Sequence, residues 1–148
     1  MSNQEVAQAM YGHHAIMVNQ LQDLTHKVET AEIGWESARD QVVAYLVEEV
    51  LPHAVAEEST IYRVGTEFES LKKLIESMLF EHTVIRRLTD SLRASVLRSQ
   101  ALSLAASAAK LFEVHAEKEN RFIIATLEPR EDVNLGAVLG DMHQLLAQ

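Results

Sequence analysis

Apolar positions recur three and four residues apart along almost the whole chain, with no stretch of strict alternation, so the pattern predicts helices and no strand. A first helix over residues 4–29 carries the stripe Met10, His14, Met17, Leu21, Leu24 and Val28. A break at Gly34 follows, with the single tryptophan, Trp35, placed to close one end of a bundle. A second helix over 36–64 carries Val43, Leu46, Val50, His53, Glu57 and Val64, and Pro52 is expected to bend it because proline lacks a backbone donor. Gly65 marks the next turn. A third helix over 69–97 runs Leu71, Ile75, Met78, His82, Ile85, Leu92 and Val96, and a fourth over 100–127 runs Leu104, Ala108, Leu111, His115, Glu119 and Phe122. The small residues of ALSLAASAA, 101–109, suit close helix contact. Pro129 stops the fourth helix, and residues 131–147 make a short amphipathic helix on Leu135, Leu139, Met142 and Leu146. Short connections between long helices make neighbours antiparallel. The expected fold is all-α: an up-down-up-down four-helix bundle with a short additional C-terminal helix, one domain over 1–148 with its core at about 4–128.

Each long helix interrupts its apolar stripe with one histidine: His14, His53, His82 and His115. Two add a glutamate four residues later, Glu57 and Glu119. Residues four apart on a helix differ by about 40° in direction and about 6 Å in height, so each His and Glu can face the same ion. If neighbours are antiparallel, residues at one depth are equidistant from the turn between them. The midpoint of His14 and His53 falls at Ile33 and Gly34, that of His53 and His82 between Glu67 and Phe68, and that of His82 and His115 at Arg98 and Ser99. All three lie in the predicted connections, so the six residues converge on one layer. Two carboxylates buried together repel each other and lose hydration, and a cation pair removes both costs.

Composition restricts what that layer can hold. The chain has no cysteine, so a metal must use imidazole and carboxylate, which suits two iron ions better than manganese or zinc. Two six-coordinate ions offer about twelve positions; four imidazoles and two bridging carboxylates fill about eight, leaving a bridging oxo or hydroxo oxygen and about two exchangeable positions. A net charge of −9 disfavours a nucleic-acid partner. Arg86, Arg87, Arg93 and Arg98, expected on one helix, read as a solvated face. With no leader-like start and no membrane-length apolar run, the expectation is a cytoplasmic protein that engages no membrane. His26 and His143 lie off the stripes, His13 is a possible extra ligand, and Tyr62 is placed to donate a hydrogen bond near a bound small molecule.

The segments GHHAIMVNQL, LPHAVAEESTIY, EHTVIRRL and FEVHAEKENRFI resemble the hemerythrin-like HHE cation-binding family over about residues 10–128. That resemblance implies that His14, His53, Glu57, His82, His115 and Glu119 ligate a non-heme di-iron site that binds or senses oxygen, nitric oxide or peroxide. Two departures from the oxygen carriers stand out. Met78 occupies the position of a fifth histidine, and the last carboxylate, Glu119, follows His115 by four residues where the carriers have an aspartate after five. Two function classes follow: a binding protein for a small diatomic ligand, or a di-iron enzyme that consumes peroxide or nitric oxide. An iron-binding or storage role is a third. A dry wall of Met10, Met17, Met78, Ile85 and Phe122 would favour binding, and a watery channel would favour turnover.

Overall fold

The first helix starts at the third residue because Ser2 caps it. The Ser2 hydroxyl accepts from the Glu5 amide at 3.2 Å and the Glu5 carboxylate accepts from the Ser2 amide at 2.7 Å, a reciprocal arrangement that satisfies two free donors. The computed structural model describes residues 1–148. Helix α1 spans Asn3–Thr30, and Gly34, at φ 76°, turns the chain into α2, Trp35–Tyr45. A π turn at Leu46–Val50 leads into α3, Leu51–Ser59, and α4 is the short Ile61–Gly65. After a 3₁₀ turn at Glu69–Leu71 come α5, Lys72–Arg93, and α6, Arg98–Lys118. A second π turn, Glu119–Ile124, continues into α7, Ala125–Leu127, and α8, Leu135–Leu146, ends the fold.

The long helices alternate in direction. Gln22 bonds Glu113, His14 meets Asn120, and Asn3 reaches Glu128, Arg130 and Val133, so α1 and α6 run antiparallel. Lys118 and His115 meet Ser77 and Glu81 in the same sense between α6 and α5. The core divides into two apolar clusters. One holds Met17, Leu21, Val50, Ile85 and Phe112; the other holds Met10, Ile61, Met78, Ile123 and Met142. Each stripe histidine lies in sequence between a member of one cluster and a member of the other, so the polar layer separates two dry halves.

Four boundaries depart from the sequence expectation. The helix continues through Pro52, whose missing donor is absorbed by the wider π turn before it, where the Leu51 amide reaches the Leu46 carbonyl. The break comes instead at Thr60, φ −124° and ψ −89°, whose hydroxyl bonds the Ala56 carbonyl at 2.6 Å. Helix α5 stops at Arg93 rather than 97, because the Ser95 hydroxyl takes the Leu92 carbonyl at 2.6 Å and Arg39 holds the Ser95 carbonyl at 2.6 Å. Val96 is therefore exposed, and Arg98 opens α6 instead of sharing a helix with Arg86. The π turn of 119–124 adds a residue to one turn, which rotates Phe122 out, 51% exposed, and puts Ile123 and Ile124 in the core. At the C terminus, Asn134 caps α8 by accepting from the Ala137 amide at 3.0 Å, so that helix begins at Leu135 rather than 131.

Asn3 ties the two ends of the chain together. Its amide nitrogen faces the carbonyls of Glu128, Arg130 and Val133, the last at 2.8 Å, and its oxygen accepts from the Leu135 amide at 3.0 Å. Asn3→Ala leaves these backbone groups without partners and is expected to cost about 1–3 kcal/mol. Urea unfolding measures it, and an unchanged midpoint would show that water replaces the side chain fully.

Candidate metal centre

The six sequence-predicted residues come together. His14, His53, Glu57, His82, His115 and Glu119 are each 5% exposed or less, although they come from α1, α3, α5, α6 and the second π turn. Two groups of donor atoms are compact enough to hold a metal ion: His14, His53 and Glu57, and Glu57, His82 and His115. Glu57 belongs to both. Glu119 also spans them, with Oε1 3.3 Å from His14 Nε2 and Oε2 3.9 Å from His115 Nε2.

The outer faces of three imidazoles are fixed. His14 Nδ1 lies 2.6 Å from Asn120 Oδ1, His82 Nδ1 2.8 Å from Glu58 Oε1, and His115 Nδ1 3.0 Å from Glu81 Oε1. These acceptors hold the proton on Nδ1, which leaves Nε2 with its lone pair facing inward, the arrangement that metal-ligating histidines adopt. Asn120, Glu58 and Glu81 were not selected from sequence. Each directly adjoins a site residue, Glu119, Glu57 and His82 respectively, and that adjacency is the signal that could have found them.

With its imidazoles neutral, the inner face holds more acceptors than donors. His82 Nε2 and His115 Nε2 are 3.0 Å apart, and the Tyr62 hydroxyl lies 3.0 Å from His115 Nε2, 3.5 Å from His82 Nε2 and 2.8 Å from Glu119 Oε2. When both imidazoles are neutral and protonated on Nδ1, the phenol has one proton to donate among these three acceptors. His53 Nε2 sits 2.8 Å from Glu57 Oε1 without hydrogen-bond geometry. Both His53 nitrogens and Glu57 Oε2 are buried with no partner. Converging imidazole nitrogens, two carboxylates and unpartnered buried polar atoms are what a cation of imidazole and carboxylate preference would satisfy, so the residues fit metal binding.

Tyr62 reaches this point because of the Thr60 break. Five residues beyond Glu57 on an unbroken helix, its side chain would point about 140° away. The non-helical Thr60 turns α4 so that Tyr62, 1% exposed, faces Glu119. Burial, and then the charges of Glu119 and Glu57, push its pKa up, so it stays a hydrogen-bond donor.

Without metal, protons do part of the cation's work. Burial favours neutral His14, but Glu119 and Glu57 outweigh it and raise His14 to about 9. Burial is likewise outweighed at His115 by Glu57, Glu81 and Glu119, again to about 9. Burial and the charge of Glu57 push Glu119 up. Against burial, a hydrogen bond from Glu119 and the neighbouring His53 and His115 hold Glu57 well below the usual range, so the pair's proton sits on Glu119. Burial holds His82 down.

Outside the cluster, His13 is exposed, with its ring 5.2 Å from that of His53, and His26 is exposed beside Glu29 at 3.3 Å. A cavity of about 210 Å³ opens on the His14 and His53 side between α1, α3, α4 and α8, walled by Met10, Ile61, Leu139 and Met142. His143 is exposed, as expected, yet lines it. Of the apolar wall expected from sequence, only Met10 lines this cavity. Met17, Met78 and Ile85 are core, and Phe122 lies outside. Met78 is fully buried within its apolar cluster.

Raised histidine pKa values stabilise the fold where the unfolded imidazole, near 6.5, is still protonated. In metal-free protein this contribution is complete below about pH 6.5 and disappears as pH rises through about 9, a change of a few kcal/mol. The melting temperature of metal-free protein is expected to fall across that window. A flat profile would mean that His14 and His115 are neutral in the folded chain.

Residues 6–127 match the family model of the hemerythrin HHE cation binding domain. No curated protein and no solved structure matched the chain. The family match covers most of the sequence, and the chain belongs to the hemerythrin HHE family.

Proposed function

For this member of the hemerythrin HHE family, we propose a di-iron binding protein whose centre takes up oxygen or a related small molecule such as nitric oxide or peroxide. One observation carries the reading: two buried ligand groups, His14, His53 and Glu57 on one side and His82, His115 and Glu57 on the other, share a single carboxylate. Glu119 lies where it can serve as the second shared carboxylate. Imidazole and carboxylate without thiolate suit iron at both positions, with manganese and zinc the lesser fits. Iron held there would supply a redox couple and exchangeable coordination positions for a small molecule.

The protein's own part is orientation and exclusion. Glu58, Glu81 and Asn120 fix the rings of His82, His115 and His14. Tyr62 donates to Glu119 and keeps that carboxylate turned inward. The His82 and His115 side is closed by the fully buried Met78 and Tyr62, whereas the cavity meets the His14 and His53 side. A small molecule would therefore approach that side. The mainly apolar wall favours uptake and release over water-dependent turnover. The opening of the cavity to solvent supports the second reading, an enzyme that consumes peroxide or nitric oxide.

Metal analysis and an optical spectrum of protein isolated from iron-replete cells test this reading. About two iron ions per chain are expected, and His53→Ala or His115→Ala removes at least one. Full iron content in both variants would count against the assignment. Chelation is expected to lower Tm by more than about 5 °C, because it leaves Glu57 and Glu119 facing each other in the core. An unchanged Tm would mean that the cations contribute nothing to holding the layer together.

A further inference from the structure

The two sides of the polar layer differ in charge as well as in access. Beside His82 and His115, the orienting carboxylates are also bound to cations: Arg86 lies 3.6 Å from Glu58 and Lys118 3.0 Å from Glu81. A metal ion approaching there meets two positive groups. The cavity on the other side has neither lysine nor arginine in its lining. Exposed His13 and His143 line its outer part, and buried His14, His53 and Glu119 its inner end. His53 is also the one stripe histidine whose Nδ1 has no partner, although it is only 5% exposed. Its ring can turn without breaking a hydrogen bond, and the ring of His13 is 5.2 Å away.

We propose that His13 and His143 form an uptake site through which a divalent cation enters, passing by way of His53 into the buried centre. The inference rests on the reading that the cluster holds metal, and it assigns a task to two histidines that the cluster does not use. A hydrated cation gives up water more readily to donors that replace it, and imidazole suits ferrous ion and its first-row neighbours. Two exposed imidazoles leave most of the coordination sphere to water, so the ion is held weakly and moves on. His53, unpinned and adjacent to both His13 and Glu57, is the natural receiver. On α8, Leu139 offers no ligand atom and the soft thioether of Met142 is a poor match for ferrous ion, so neither traps the ion on the way.

The test is anaerobic stopped-flow uptake of Co(II), and separately of Fe(II), by the full metal-free chain, with final metal content measured after equilibration. His13→Ala with His143→Ala is expected to slow uptake on the order of tenfold, the scale on which site-lining groups alter association rates. Final content and the Co(II) spectrum are expected to stay those of the parent. Both residues are exposed, so the double variant keeps the parent's melting temperature when metal-free. Lys118→Ala is expected to leave the uptake rate unchanged, and acceleration would place the route on the opposite side and overturn the proposal. An unchanged rate in the double variant would overturn it as well. Reduced final content would overturn it too, by placing His13 or His143 among the resting ligands. A parent chain that takes up neither cation would instead remove the metal reading beneath it, an outcome distinct from equal rates in chains that load fully.

Discussion

Glu57 and Glu119 lie side by side in the middle of a helical bundle, each 2% exposed, and much of the structure is arranged around the cost of keeping them there. Two carboxylates in such a place need positive charge or protons from every direction. The four histidines provide the first enclosure, one from each long helical arm. Glu58, Glu81 and Asn120 provide the second by holding three of those rings with Nε2 inward. The apolar clusters above and below exclude water that would otherwise screen the pair. Metal ions held there would relieve the remaining repulsion, which would link metal binding to stability through the same contacts.

Irregular helix geometry brings the six buried His and Glu residues and Tyr62 to one level. The π turn of Leu46–Val50 lets α3 continue through Pro52 with His53 and Glu57 still on the inner face. The π turn that starts at Glu119 changes the phase of the fourth arm, so Ile123 rather than Phe122 follows Glu119 into the core. The break at Thr60 turns Tyr62 inward. π turns frequently accompany functional sites because an added residue re-aims a side chain without ending the helix. Here two of them, with one break, flank the same layer.

The layer is not symmetric even though its histidines and glutamates nearly are. Tyr62 and buried Met78 close the His82 and His115 side, whose outer carboxylates are bound by Arg86 and Lys118. The His14 and His53 side faces a cavity lined by additional imidazoles. The proposed entry of small molecules and cations therefore lies on one face. On the opposite face both imidazoles are fixed by carboxylates, whereas on the open face Asn120 fixes His14 and His53 is left unpinned.

Periodicity along the chain determined the helices, their approximate lengths and the antiparallel order. The recurrence of histidine in four apolar stripes determined the six residues that meet, because depth in an antiparallel bundle follows from distance to the turn. The family was also legible from the segments around those residues. Other features depended on atoms brought together by folding. Whether Pro52 or Thr60 would interrupt its helix was decided by local backbone competition, since a proline can be absorbed by a wider turn and a threonine can take a carbonyl from it. Phe122 and Ile123 are equally apolar to a pattern of spacing, and only the extra residue of a π turn separates the exposed one from the buried one. Glu58, Glu81 and Asn120 lie at the edge of their helical stripes, where sequence cannot distinguish a solvated polar residue from one that reaches a histidine on a neighbouring helix. Which side of the layer opens to solvent was decided by the docking of α8 against α1 and α3, a packing choice that no single helix carries in its own pattern.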